Sequence, residues 1–451
     1  MPKNFQTLFE PKSIAIIGAN SLPNTVGSGL AKNVLEGKEH REIYFVNPNE
    51  AEIFGIKTHK SLSDIGVAID LAVIAVPAKI VPIIVNECIA NKVGSVVIIS
   101  AGFAETGTEG QKIQEDLAAA LKKAGIPLLG PNCLGVLNPW ANLNASFAPA
   151  SPRTGAIALI SQSGAMIDSI IDVSLAQNYG FSKIISIGNE GDINLSELIL
   201  ACGKDPQTKV IGIYIEGINN GRDFVKVCQE VSQNKPIVVI KAGKGEIGKK
   251  AASTHTGSLA GEYKIYQAAF QKAGAIEAQS VEELLDLCKA LAWQPRFNGK
   301  IGIVTNGGGV GVLTADACQE FGLELANLDD KTLKILEAPG VMHPAWSKAN
   351  PVDVVGDATA QKYEAAINAL LDQKDISALI VLQTMQIMTN PIENANIIAH
   401  AAKRHADKPI VCCFLGGKMT LPGINVLEEN KIPNFSDPRK AANILAKMKN
   451  K

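Results

Sequence analysis

Of the six histidines in the chain, His255 has the setting best suited to chemistry. It sits in the segment from Lys241 to Gly261, Lys-Ala-Gly-Lys-Gly-Glu-Ile-Gly-Lys-Lys-Ala-Ala-Ser-Thr-His-Thr-Gly-Ser-Leu-Ala-Gly. That segment has little to bury, so its histidine is expected to be accessible. An imidazole titrates near neutrality and can act as a nucleophile toward phosphorus. Phosphoryl transfer depends mainly on positioning and charge stabilisation. Lys241, Lys244, Lys249 and Lys250 would add positive potential, and a carboxylate is needed to orient the ring. Glu216, at the end of Ile-Gly-Ile-Tyr-Ile-Glu, is expected at a strand C-terminus facing the same region; its alternative role is as partner to one of those lysines. The other histidines, His40, His59, His343, His400 and His405, read as structural or exposed, and no metal site is expected.

A phosphoryl group needs an anion site, and two segments offer one. The apolar run Ala156–Ile160 ends in Ser161-Gln162-Ser163-Gly164, and the run Ile301–Thr305 ends in Asn306-Gly307-Gly308-Gly309. Each is a small-residue loop feeding a helix start, where backbone N–H groups and the helix dipole favour an anion. The first adds serine hydroxyls; the second leaves the backbone open to close approach. Together they suggest one phosphate gripped from both sides. The competing reading is plain capping of the two helices by Ser163 and Asn306. The surrounding segments look like diverged copies: Gly155-Ala-Ile-Ala-Leu-Ile-Ser-Gln-Ser-Gly can be laid over Gly299-Lys-Ile-Gly-Ile-Val-Thr-Asn-Gly-Gly, and Lys235-Pro-Ile-Val over Lys408-Pro-Ile-Val. The second copy has no counterpart of His255, as expected of a residue added for chemistry rather than framework.

A further glycine loop opens the chain. Gly18-Ala19-Asn20-Ser21 ends the first apolar run and Gly27 begins a helix. The spacing is too long for a dinucleotide fingerprint, and the second strand ends in Asn47-Pro48-Asn49 with no carboxylate for a ribose hydroxyl. A phosphate-bearing cofactor other than NAD fits better. Val76-Pro77-Ala78, Ser100-Ala101-Gly102-Phe103 and the turn Gly130-Pro-Asn132-Cys133-Leu-Gly135 follow other strands, at the edge where ligands of open α/β sheets bind. Cys133 reads equally as a working thiol or as buried filler.

These residues need a scaffold of parallel strands, and the sequence supplies it. Expected strands are Ser13–Gly18, Glu42–Asn47, Leu71–Val76, Ser95–Ser100 and Pro127–Leu129, then Ala156–Ile160, Lys183–Ile187, Val210–Glu216 and Ile237–Lys241, then Ile301–Thr305, Ala378–Leu382 and Ile410–Phe414. Their near-continuous Val/Ile runs indicate strands covered on both faces. Helical patterns such as Ile80–Ala90 and Glu109–Lys123 alternate with them, giving an α/β fold. Loop-like stretches near Pro139–Thr154 and Trp293–Gly299 divide the chain into domains at 1–140, 150–293 and 298–451. The length of 451 residues suits three such domains. Lys and Arg number 43 against 44 Asp and Glu, which disfavours a nucleic-acid or anionic-membrane surface. The eight cysteines form no Cys-x-x-Cys pair and no signal segment is evident, so a reduced, cytoplasmic protein is expected.

Gly-Pro-Asn-Cys-Leu-Gly, Ser-Gln-Ser-Gly, Tyr-Ile-Glu-Gly and His-Thr-Gly-Ser-Leu-Ala-Gly together resemble the α subunits of NDP-forming acyl-CoA synthetases, in particular the ADP-forming acetyl-CoA synthetase type, and more distantly succinyl-CoA synthetase α subunits. The resemblance implies a Rossmann-like CoA-binding domain followed by two flavodoxin-like domains of the succinyl-CoA-ligase type. It implies coenzyme A on Gly18–Gly27, Asn47–Asn49, Val76–Ala78 and Ser100–Phe103, with Asn132 and Cys133 beside it. Acyl-CoA and phosphate would give acyl phosphate; His255, supported by Glu216, would take the phosphoryl group and pass it to ADP. The loop Gly188-Asn-Glu-Gly-Asp192 would lie near the acyl group. No fourth region suits an ATP-grasp domain, so a separate β subunit holding ADP/ATP and Mg²⁺ is expected, in an α₂β₂ heterotetramer acting on a small carboxylic acid. The rival expectation is a CoA-binding regulatory protein without turnover.

Overall fold

A computed structural model describes residues 3, 5–250 and 262–450 of the chain. They form two compact units, Met1–Leu284 and Leu285–Lys451. The first unit contains two sheets. Strands β1 (Ser13–Ile17), β2 (Glu42–Val46), β3 (Glu52–Ile53), β4 (Ile56–His59), β5 (Leu71–Ile74), β6 (Ser95–Ile98) and β7 (Leu128–Leu129) run in the order β3-β4-β2-β1-β5-β6-β7. All pair in parallel except β3 with β4. Every residue of β5 and β6 is buried, as expected of strands with helices on both faces.

The second sheet is built from β8 (Gly135–Asn138), β9 (Leu143–Ser146), β10 (Thr154–Ser161), β11 (Phe181–Ser186), β12 (Val210–Ile215), β13 (Ile237–Lys241) and β14 (Ile276–Glu277), in the order β14-β13-β12-β10-β11-β8-β9. Its parallel part has flavodoxin-like order, with β10 between β11 and β12. One buried cluster contains Ile14 and Val73 of the first sheet and Ile160 and Ile213 of the second, so the two sheets share a core and form a single unit. The segment Pro139–Thr154, expected to be loop, contains β9, which pairs antiparallel with β8.

The second unit has a sheet of β15 (Lys300–Thr305), β16 (Val352–Asp353), β17 (Ile376–Gln383) and β18 (Ile410–Phe414), ordered β16-β15-β17-β18. This repeats the arrangement β11-β10-β12-β13. In each of the three sheets, β1, β10 or β15 sits where the strand order reverses. The loops leaving those strands therefore open into a crevice at the sheet's C-terminal edge. These are the loops that begin at Gly18, Gln162 and Asn306. Among the described residues no helix is long and apolar enough to cross a membrane.

Candidate functional site

The loop after β1 is a compact turn held from several sides. Gly18 has φ +95°, and a Cβ on Gly27 would lie 2.2 Å from the Gly18 carbonyl oxygen, so both positions require glycine. Thr25 caps the helix Val26–Leu35 by accepting from Ser28 N–H. The Asn47 amide donates to the Ala19 carbonyl at 2.9 Å, while its oxygen accepts from Asn49 N–H at 2.8 Å. Glu50, which the sequence did not single out, accepts from the backbone N–H and hydroxyl of Ser21.

Next to this turn, a cleft of about 610 Å³ collects Val76 and Pro77 after β5, Ser100 and Ala101 after β6, Asn132 and Cys133 after β7, and Gln162, Ser163 and Gly164 after β10. Ala75, Ile99, Leu134, Val26, Phe147, Ala165 and Asp168 complete its wall. Candidates from both sheets of the first unit are thus brought together. Gly18–Ser21, Gly27, Asn47–Asn49, Ala78, Gly102 and Phe103 do not line it. Phe103 is wholly buried in the core, and the N–H groups of Gly102 and Phe103 bond Glu105. Burial pushes the Cys133 thiol up to about 12, and its Sγ faces the Ile98 carbonyl at 3.4 Å. It is packing rather than a reactive thiol.

The helix Gly164–Ala176 starts on the cleft wall. Ser163 is its N-cap, accepting from Met166 N–H at 3.4 Å. The Ser161 hydroxyl donates to the Ser163 carbonyl at 2.8 Å and accepts from Ser163 N–H at 3.0 Å. Among the described residues, the donors left for a ligand are therefore the first N–H groups of the helix, at Gly164 and Ala165, and the Ser163 hydroxyl, while the Ser161 hydroxyl is used internally. Gln162 is a brace: its Oε1 accepts from the backbone N–H of Glu216 and Gly217, and its Nε2 donates to Glu190 at 2.8 Å and to the Gly217 carbonyl at 3.1 Å.

The second unit repeats the device. Thr305 Oγ1 donates to the Gly307 carbonyl and accepts from Gly307 N–H, both at 3.1 Å. Asn306 Oδ1 accepts from Thr384 N–H at 2.8 Å, and its Nδ2 donates to the Thr384 carbonyl at 2.9 Å. Gly307, not Asn306, is the N-cap of the helix Gly308–Glu320. The match is close enough to make Thr384 the counterpart of Glu216 and, one residue back on the neighbouring strand, Phe414 the counterpart of Lys241. The carboxylate and the buried lysine occur only in the first copy.

Glu216 follows β12 and is 6% exposed. Its carboxylate accepts from the Tyr214 hydroxyl, which burial and Glu216 push up to about 12. Lys241 ends β13, 2% exposed, with Nζ 4.6 Å from the Tyr266 ring centre. Desolvation pulls its pKa down, partly offset by the charge of Glu216, so the two groups are coupled. Lys244 pairs with Glu277 at 3.1 Å, and Lys249 with Glu262 at 2.9 Å. His255 lies outside the described residues.

Two further carboxyls lie near the cleft, one in the loop expected near the acyl group and one, Asp168, that escaped the sequence reading. Glu190, in the loop Gly188–Asp192, has its pKa raised by burial and bonds Gln162. That loop packs on the turn after β7, with Asn189 N–H donating to the Pro131 carbonyl and Gly191 N–H to the Gly130 carbonyl, both at 2.9 Å. Asp168 lines the cleft with its Oδ1 buried and without a partner among the described residues. Its spacing of four from Gly164 on one helix face was the available signal.

Residues 12–139 match the family described as CoA binding domain, 154–291 the succinyl-CoA ligase like flavodoxin domain, and 301–448 the ligase-CoA domain. The α subunit of acetate–CoA ligase (ADP-forming) I of Pyrococcus furiosus is 40% identical, over 98% of this chain and 96% of that one. The chain belongs to the ADP-forming acetate–CoA ligase family. A second member, acetate–CoA ligase (ADP-forming) I of Archaeoglobus fulgidus, is 40% identical over 98% of this chain, which spans only 63% of that relative's length. Among solved structures, the acetyl-coenzyme A synthetase 1 of Ca. Korarchaeum cryptofilum, in complex with phosphate and ADP, is 35% identical with a TM-score of 0.94, covering 99% of this chain and 96% of that one.

Proposed function

We propose that this chain is the α subunit of an ADP-forming acyl-CoA synthetase of the acetate type, interconverting acyl-CoA, phosphate and ADP with the acid, CoA and ATP. The observation that carries this reading is the near full-length identity to an α subunit of that activity. The cleft supports it: loops of a CoA-binding sheet and an anion-binding helix start face one space large enough for the reacting end of a thioester.

In this reading the Gly18–Gly27, Asn47–Asn49, Val76–Ala78 and Ser100–Phe103 loops hold CoA, with the thioester in the cleft beside Asn132. The free N–H groups at Gly164 and Ala165 hold phosphate for attack on the thioester carbonyl, releasing CoA and leaving acyl phosphate. His255 then takes the phosphoryl group and frees the acid. Glu216, kept in place by Gln162 and polarised by Lys241, orients the imidazole and stabilises its cationic form. The helix start at Gly307–Gly309 is a second anion cradle. The phosphohistidine passes its group to ADP on a separate ATP-grasp β subunit, which holds the nucleotide and Mg²⁺ in an α₂β₂ assembly in the cytoplasm. Reconstitution with such a subunit should release CoA from acetyl-CoA only when phosphate and ADP are both supplied. Release that ignores ADP or phosphate, or no release with any β partner, defeats the reading.

A further inference from the structure

We propose that Asp168 exchanges a proton with the sulfur of coenzyme A, an inference that rests on reading this cleft as the place of thioester cleavage. Gly164 and Asp168 lie one turn apart on one face of the helix Gly164–Ala176, a separation of about 6 Å along the axis. At the first position the helix presents free N–H groups; the second lines the same cleft. Asp168 Oδ1 is buried and unpartnered among the described residues. An oxygen withdrawn from water without a partner is unfavourable, so a wall position like this calls for a hydrogen-bonding partner on the bound ligand.

The chemistry of the neighbourhood selects which donor. A carboxylate one turn from a bound phosphate would repel it, whereas a neutral carboxyl does not. Burial already raises the pKa of Asp168, and a phosphate dianion at the helix start raises it further. The other titratable group on the described wall is Cys133, whose thiol is held up at about 12 and faces a carbonyl. Asp168 is therefore the wall group placed to exchange a proton with the bound ligand.

The step balances without a further reactant. An oxygen of hydrogen phosphate forms a bond to the thioester carbonyl carbon, and the C–S bond breaks with its electron pair going to sulfur. Sulfur takes the Asp168 proton, and the phosphate proton restores the carboxyl. Thioester and hydrogen phosphate thus give acyl phosphate dianion and thiol. In the opposite direction Asp168 returns its proton to a phosphoryl oxygen of acyl phosphate, and the resulting carboxylate takes the thiol proton as sulfur attacks the acyl carbon and hydrogen phosphate leaves.

The test uses the complex with its β subunit, acetyl-CoA and arsenate. Acyl arsenate hydrolyses in water, so CoA release becomes continuous and needs neither nucleotide nor phosphohistidine. D168N should lower the rate of release by about a hundredfold with little change in KM for acetyl-CoA. The decline of the wild-type rate on the alkaline side, where Asp168 loses its proton, should disappear in D168N, and D168E should recover part of the rate. Wild-type release by D168N or an unchanged alkaline decline would overturn the proton-transfer role. A wild-type complex that releases no CoA with arsenate overturns the reading of the cleft itself, and the proposal with it.

Discussion

Gln162→Leu isolates the brace on which the proposed placement of Glu216 depends. The substitution removes four hydrogen bonds: two accepted from the backbone N–H of Glu216 and Gly217, and two donated to Glu190 and the Gly217 carbonyl. At roughly 1 kcal/mol net for each of the four bonds, the local cost is about 4 kcal/mol. Since 1.4 kcal/mol is a factor of about ten, amides 216 and 217 should exchange with solvent several hundredfold faster. Hydrogen exchange resolved by peptide reads this directly, and phosphorylation of His255 in the complex should fall with it. Asn306→Leu breaks the matching brace in the second copy and should loosen Thr384 while leaving exchange at Glu216 untouched. If Gln162→Leu left both the exchange at Glu216 and the phosphorylation rate at wild-type levels, the brace argument would be wrong.

Other expectations follow from buried charges and from Cys133. In the second unit Lys289 and Glu428 pair at 3.0 Å with exposures of 3% and 8%, so Glu428→Gln strands a buried cation and should cost about 3–5 kcal/mol in denaturant unfolding, while a paired apolar replacement should cost much less. Burial alone would raise the Asp205 pKa, but bonds from Lys183 and Thr208 outweigh it and hold it low. That stabilisation is present above the ordinary carboxylate pKa of about 4 and is lost as pH falls through the depressed value, so Asp205→Asn should flatten the acid limb of the first unit's stability curve. Cys133→Ala should retain turnover with acetyl-CoA, and alkylation near neutrality should spare Cys133; loss of activity in the variant would make it a working thiol.

The long strands were readable because a parallel strand covered on both faces leaves a continuous Val/Ile run, as in Leu71–Ile74 and Ile237–Val239. The β8–β9 hairpin was not, because Asn138, Asn144 and Ser146 interrupt its apolar signal. Those side chains are buried yet bonded, Asn138 to the Phe9 carbonyl and Ser146 to Asn144. Strands of two residues such as β3 and β16 are too short to show a period. At the site, the glycine and serine loops announced helix starts, but not what Gln162 and Asn306 do. Their amides bond strand ends 54 and 78 residues away, which only the sheet order brings alongside. Asp168 sat unremarked in an apolar helical run because its significance lies in the cleft opposite it.

The most direct test of the account is to incubate the chain and its β subunit with γ-labelled ATP and Mg²⁺ and to map the acid-labile phosphate by peptide. The account predicts label on His255, absent in His255→Ala and weakened in Glu216→Gln. Label that persists undiminished in His255→Ala, or that maps to another residue of this chain, contradicts it.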